Sequence, residues 1–386
     1  MIKTIAIHGY RTLRDLRLGL SNINVIEGAN GSGKTNIYRA LRLIVDAAEG
    51  RLVQSLAREG GLSSVLWAGP EVISREMMLG ITPIQGTARK GPVRLLLGLS
   101  SDQFTYMIDL GLPIPSPSAF TLDPVIKREW LWAGSKASSA NLVVDRKNEQ
   151  LRCRPGDDWI DIDISLGSTQ SVLGEFSDPS NAPQLILLRD WLRSWRFYDQ
   201  MRTDSQSPAR LPCVGTFTPV LSGDGRDLAA ALQTIIEIGN APLLQQTIQD
   251  AFPGSQLLID VQATLFRVGL HQTGMLRPMF ATELSDGTLR YLLLAAALLT
   301  PRPPQLMVLN EPETSLHPEL LPALGRLIAV YGQDNQVIVV THAQPLIDAL
   351  CQQPHSVHFQ LEKQFGATQI VNIDRFELPA WSWPKR

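Results

Sequence analysis

The chain has 386 residues, 44% of them hydrophobic, enough to bury more core than one ordinary domain needs. A formal net charge of −2 gives no global attraction to nucleic acid. Three widely spaced cysteines, Cys153, Cys213 and Cys351, exclude a disulfide framework and point to a reducing cytoplasm. No Cys or His spacing suggests a metal cage. The chain start lacks an uninterrupted apolar signal core, and the longest apolar stretch, residues 291–299, is too short to cross a membrane. A cytoplasmic protein with no membrane partner is expected.

The chain opens on strand residues, and Ile23-Asn24-Val25-Ile26 reads as a short apolar-rich strand. Directly after it comes Gly28-Ala29-Asn30-Gly31-Ser32-Gly33-Lys34-Thr35, a complete phosphate-binding loop. Ile37, Ala40, Leu41 and Ile44 then recur at helical spacing. Glycines let main-chain N–H groups approach phosphate oxygens, and the helix start adds its positive end. Lys34 reaches β- and γ-phosphates in such a loop, and the Thr35 hydroxyl ligates Mg²⁺.

Residues 51–92 read as helical and then irregular, with breaks at Gly60-Gly61 and Gly69-Pro70. From Val93 to about Ser168 alternation dominates, as in Phe104-Thr105-Tyr106-Met107-Ile108, and predicts antiparallel sheet. Residues 111–118 form a proline-rich loop. Residues 183–250 read as mostly helical. Within them Arg189, Arg193 and Arg196 are spaced to share one helix face, and Trp191, Trp195 and Tyr198 another. That pattern serves a solvated basic face over an aromatic core face, a DNA-backbone contact, or a partner-protein surface. Arg202 and Arg210 follow.

Three segments in the last third carry polar groups on apolar elements. Glu283-Leu284-Ser285-Asp286-Gly287-Thr288 runs into a strongly apolar helix stopped by Pro301, Pro303 and Pro304, with Ser285 or Asp286 as its cap. Such a helix start also binds phosphate. Leu306-Met307-Val308-Leu309 is a buried parallel-type strand ending in Asn310-Glu311-Pro312-Glu313. Polar residues at that end sit where ligands bind in open α/β sheets, and Glu311 is placed to polarise a water. Val337-Ile338-Val339-Val340-Thr341-His342 ends likewise, with His342 able to hydrogen-bond a γ-phosphate. Residues 356–362 and 368–373 read as edge strands. There are no internal repeats or sustained heptads.

Together these segments resemble the ATP-binding-cassette (ABC) ATPases, specifically the RecF/SMC-like branch. They are most similar to the RecF-like AAA-type ATPases in which the acidic motif runs on as Glu311-Pro312-Glu313-Thr314-Ser315-Leu316-His317-Pro318. The resemblance is specific over residues 1–50 and about 280–350. It implies an α/β fold: an ABC-type P-loop NTPase head with a mixed parallel core sheet, an antiparallel β subdomain and a helical signature lobe, without a long coiled coil. The implied domains are residues 1–182 (N-terminal part of the head), 183–280 (helical lobe) and 281–386 (C-terminal part).

By the same resemblance, Gly28 to Thr35 are Walker A, and Asn36 joins the nucleotide-binding set. Ser285, Asp286 and Gly287 are the signature, Leu306 to Glu311 Walker B, Ser315 to Pro318 the D-loop, and His342 the switch histidine. Lys34, Glu311 and His342 would be catalytic, Thr35 and Asn310 would hold Mg²⁺, and Arg11 would add charge near the phosphates. ATP and Mg²⁺ are the implied ligands, and a head-to-tail homodimer the implied assembly, each ATP meeting Walker A of one chain and Ser285–Gly287 of the other.

Walker B departs from the family in having Asn310 where Asp is usual. An amide accepts the same water hydrogen bonds but brings no negative charge, so slow or regulated turnover is expected. Asp286-Gly287-Thr288 replaces the Gly-Gly-Gln of transporters. Gln85, Gln103 and Gln200 all fit the Q-loop glutamine poorly. Two outputs stay open: a clamp on DNA in repair or recombination, and a regulatory ATPase of a defence or toxin module gating an effector protein. A transporter motor fits less well, given the β-rich middle.

Overall fold

The computed structural model describes residues 1–83, 91–92, 94–114, 117, 119–120, 122–199 and 201–385. Gln85, Val93, Gln200 and three residues of the proline-rich loop, Pro115, Ser116 and Ser118, lie outside the described residues. The chain divides into two units. One comprises Met1–Ser21, Gly28–Ser194 and Phe359–Arg386, the other Asn22–Glu27 and Trp195–His358.

In the first unit the alternating runs form one eight-stranded sheet. Its order is Leu13–Gly19, Ile2–Tyr10, Leu95–Ser101, Phe104–Gly111, Val125–Ala133, Leu142–Lys147, Gln150–Cys153 and Ile160–Ile162. Every neighbouring pair is antiparallel. Gln103 lies in a hairpin turn of this sheet, its N–H donating to Ser101 Oγ. Leu95–Ser101 and Phe104–Gly111 are buried at every residue, so apolar positions on both faces are covered. Trp381 and Trp383 contribute to that cover, packing with Met107, Trp130 and Trp132.

The helix Lys34–Ala48 buries Ile37, Leu41 and Ile44 completely and packs on the helices Val172–Glu175 and Pro183–Arg193. A fully buried ion pair pins that region. Glu129 accepts from Arg146 Nη1 (2.7 Å), Tyr106 OH (2.8 Å), Ser171 Oγ (2.5 Å) and Val172 N (3.0 Å). The extra donors satisfy lone pairs that a buried carboxylate cannot leave bare.

The basic face expected of Arg189, Arg193 and Arg196 does not form. The helix ends at Arg193, and Arg196–Tyr198 is a strand. Arg193 donates to Ala48 O at 3.0 Å, and Arg189 lies 3.6 Å from Asp190. The arginines and aromatics do recur at helical spacing, but Trp195-Arg196-Phe197-Tyr198 is also β-prone. Pairing with the Walker B strand wins.

In the second unit four strands run parallel, in the order Arg196–Tyr198, Met307–Asn310, Val337–Thr341 and Ile23–Gly28, the last of which leads into the first unit at Gly28. The helices Leu228–Ile238, Ala241–Ala251, Asp286–Leu298, Leu321–Gly332 and Gln344–Cys351 accompany them. Asp286–Leu298 is buried from Leu289 to Leu298, which explains an apolar run interrupted only by Arg290. A small antiparallel sheet joins Cys213–Val214, Leu265–Gln272 and Ser255–Gln262, with Met279–Phe280 pairing the middle strand. These strands lie within the segment expected to be a helical lobe. Among the described residues the longest helix, Lys34–Ala48, has 15 residues, and none is long and apolar enough to cross a membrane.

Candidate functional site

The strand Ile23–Gly28 delivers the chain into the glycine loop, and the helix begins at Lys34. Gly33 caps this helix with φ 110°, a left-handed conformation only glycine adopts readily, and no side chain caps the first turn. Its N–H groups are therefore left for an anion. Space is tight as well. A Cβ on Gly33 would collide with Thr368 Oγ1, and one on Gly28 would lie 2.7 Å from Leu361 O.

Lys34 is buried and donates to the carbonyls of Gly28 and Ala29, folded across its own loop. Ser32 Oγ is buried without a partner among the described residues, while Ala29, Asn30, Gly31 and Thr35 are exposed. Beneath the loop lies a buttress that sequence reasoning missed. Thr368 Oγ1 sits 2.7 Å from both Ser32 O and Thr12 Oγ1, and Asn36 Nδ2 donates to Thr12 Oγ1 at 2.8 Å. Thr368→Val keeps the shape but strands these groups. It is expected to lower stability by about 1–2 kcal/mol in urea unfolding; an unchanged midpoint would show that the buttress contributes nothing.

Arg11 has φ 48° and is engaged elsewhere. Its Nη2 and Nε donate to Glu59 Oε2 at 2.8 and 3.2 Å, and Tyr10 OH donates to the same oxygen at 2.7 Å. Burial, reinforced by Glu59, pushes the Tyr10 hydroxyl well above its ordinary pKa. The Arg11 charge is thus offset by Glu59.

In the second unit the Walker B and switch strands end side by side. Asn310 pairs with Val340, and Glu311 N donates to Val340 O at 2.8 Å. Glu311 then adopts φ 47°, strained for a residue with a side chain. Its carbonyl accepts from Arg290 Nη2 at 3.2 Å, and Arg290 Nη1 donates to Met201 O at 2.8 Å. Burial pushes the Arg290 pKa below that of an ordinary arginine, against the pull of Glu313 and Asp199.

Glu313 is the buried carboxylate here. Its Oε1 accepts from Thr341 Oγ1 (2.6 Å) and His342 N (3.0 Å), and lies 3.3 Å from His342 Nδ1. His342 itself is 57% exposed, so Glu313 orients it without covering it. Asn310 Oδ1 and Glu313 Oε2 are buried and lack partners among the described residues. Orphaned oxygens at a strand end suit a hydrated divalent cation such as Mg²⁺; in the first unit, the uncapped helix start of the glycine loop suits a phosphate group.

Ser285 caps the signature helix, accepting from Thr288 N at 3.2 Å. Gly287 packs against the D-loop, where a Cβ would lie 2.8 Å from Ser315 O. Ser285, Gly287, Thr288, Ser315 and His317 line one open cleft. The second unit therefore gathers Ser285, Asp286, Gly287, Asn310, Glu311 and His342, and the first holds Arg11 and Gly28 to Asn36.

Residues 23–349 match a family described as "AAA domain, putative AbiEii toxin, Type IV TA system". A 71-residue stretch, 18% of the chain, is 41% identical to "Uncharacterized protein MJECL10" of Methanocaldococcus jannaschii, and the chain spans only 31% of that relative's length. Among solved structures, an SMC head bound to the C-winged helix domain of ScpA is similar with TM-score 0.52 at 12% identity, over 97% of this chain and 99% of that one. The SMC head domain from Thermotoga maritima gives 0.49 at 14%, with 97% and 99% coverage. The chain belongs to the AAA-domain family so described and has the fold of an SMC head.

Proposed function

We propose that this protein binds Mg²⁺–ATP and hydrolyses it within an ATP-driven, head-to-tail homodimer. The observation that carries this is the phosphate loop: a buried lysine bonded, among the described residues, to loop carbonyls alone, beside an uncapped helix start. Gly28 to Asn36 hold the triphosphate, and Lys34 offsets its charge. Thr35 and Asn310 hold Mg²⁺, which would neutralise developing charge on the transferred group. Glu311, fixed at a strand end by Arg290, orients the attacking water. His342, aimed by Glu313, reads the γ-phosphate. The Ser285–Gly287 helix start of the second copy closes the site. Catalysis is mainly positioning and electrostatics.

Asn310 brings no charge to the metal. Asn310→Asp is expected to lower the Mg²⁺ concentration for half-maximal ATPase activity by about three- to tenfold, because a carboxylate binds a hard cation better than an amide. A raised requirement in a Mg²⁺ titration would mean the site is built around the amide.

For the output we favour a partner protein over DNA. The family description names a toxin of a type IV system, and the SMC head of similar fold is bound to a winged-helix domain of ScpA. The arginines that pointed toward DNA are engaged within the chain: Arg193 on Ala48, Arg210 on Asp286. ATPase activity should then stay within about twofold on adding duplex DNA at low salt. Several-fold stimulation that fades with salt would support the DNA reading instead.

A further inference from the structure

Arg210 closes the 3-10 turn Pro208–Arg210, and its side chain is only 8% exposed. Its guanidinium makes six hydrogen bonds. Nε donates to Thr203 O (2.9 Å) and Asp204 O (3.1 Å), and Nη1 to Ala281 O (2.7 Å) and Leu284 O (2.8 Å). Nη2 donates to Thr203 O (2.7 Å) and to Asp286 Oδ1 (2.6 Å). Five of these bonds go to carbonyls, which carry no net charge. Among the described residues, Asp286 is the one carboxylate the guanidinium holds.

Asp286 is the first residue of the signature helix, next to its cap Ser285, and its side chain is 56% exposed. A carboxylate in a first turn favours the helix itself. It also repels a triphosphate approaching the same helix start, and because the carboxylate is exposed this repulsion is strongest at low salt. The charge arises because this chain has Asp where transporters have Gly. Arg210 supplies the compensating cation and holds one carboxylate oxygen through a charge-assisted bond.

We propose that Arg210 is a positioning residue for the signature: it neutralises Asp286, so that the helix start meets a partner's nucleotide without net negative charge. This rests on the trans-acting reading of Ser285–Gly287 proposed above. The pair carries zero net charge in the wild type, −1 in Arg210→Met, +1 in Asp286→Asn, and zero again in the double variant.

The test is dimerisation driven by a non-hydrolysable ATP analogue, followed by analytical ultracentrifugation at low salt, with fluorescent-nucleotide binding as the check on folding. Arg210→Met is expected to weaken the dimer about tenfold or more, Asp286→Asn to tighten it about threefold, and the double variant to return near wild type. The gain in Asp286→Asn should vanish at high salt. If Arg210 merely staples carbonyls, the double variant stays as weak as Arg210→Met, and the proposal falls. If Arg210→Met does not fold, Asp286→Asn decides alone: a tighter dimer supports the neutralising role, and an equal or weaker one overturns it. A wild type that forms no nucleotide-driven dimer removes the trans-acting reading first, and this proposal with it. A wild-type dimer indifferent to the charge series removes only this proposal.

Discussion

Glu311→Gln is expected to cut ATP turnover by about 100-fold or more while leaving nucleotide binding intact. The amide matches the carboxylate in shape but is a poor base for polarising water. The main-chain scaffold does not depend on this side chain. Glu311 N donates to Val340 O, and its carbonyl accepts from Arg290, so the left-handed backbone should persist. With hydrolysis blocked, the ATP-bound dimer should accumulate and emerge earlier on gel filtration. Unchanged turnover would remove Glu311 from its role, and Glu313, buried and bonded to Thr341 and His342, would be the next carboxylate to examine.

Ser285→Arg is expected to abolish ATP-dependent dimerisation and reduce ATPase activity by at least about 100-fold, with nucleotide binding by the monomer preserved. Ser285 is exposed and caps the signature helix through Thr288 N. Losing the cap costs about 1 kcal/mol, too little to unfold a helix so deeply buried beyond its first turn. The larger effect is steric, since the side chain fills the space that a partner's γ-phosphate enters in the proposed dimer. Ser285→Ala separates the terms: it removes the cap without the obstruction, and should lose far less activity.

How much of this was legible in the sequence depended on how local the chemistry was. The phosphate loop declares itself because its glycines, Lys34 and Thr35 act within eight consecutive residues. Its buttress does not, because Thr12 and Thr368 meet across 356 residues. The strands ending in Glu311 and His342 stood out as apolar runs closed by polar residues. That Glu313, not Glu311, is the buried carboxylate beneath His342 follows only from the strand pairing.

Arg290 did leave a local signal, a single charge inside the apolar run from Leu289 to Leu299. A charge in a buried helix has to be answered by partners, here Met201 O and Glu311 O. The hairpin of Ser255–Gln262 and Leu265–Gln272 was also readable, since Leu257, Ile259 and Val261 alternate and then Phe266, Val268 and Leu270 do. Arg196 misled because helical spacing and strand propensity coincide there, and only the neighbouring strand Met307–Asn310 decides between them.

The trans-acting dimer is tested most directly by the wild-type ATPase rate per molecule as a function of protein concentration. If each ATP needs the Ser285–Gly287 helix start of a second copy, the rate per molecule rises with concentration until the dimer saturates. A rate per molecule flat across a hundredfold dilution, with Ser285→Arg as active as wild type, would contradict the dimer and leave a monomeric NTPase acting in cis.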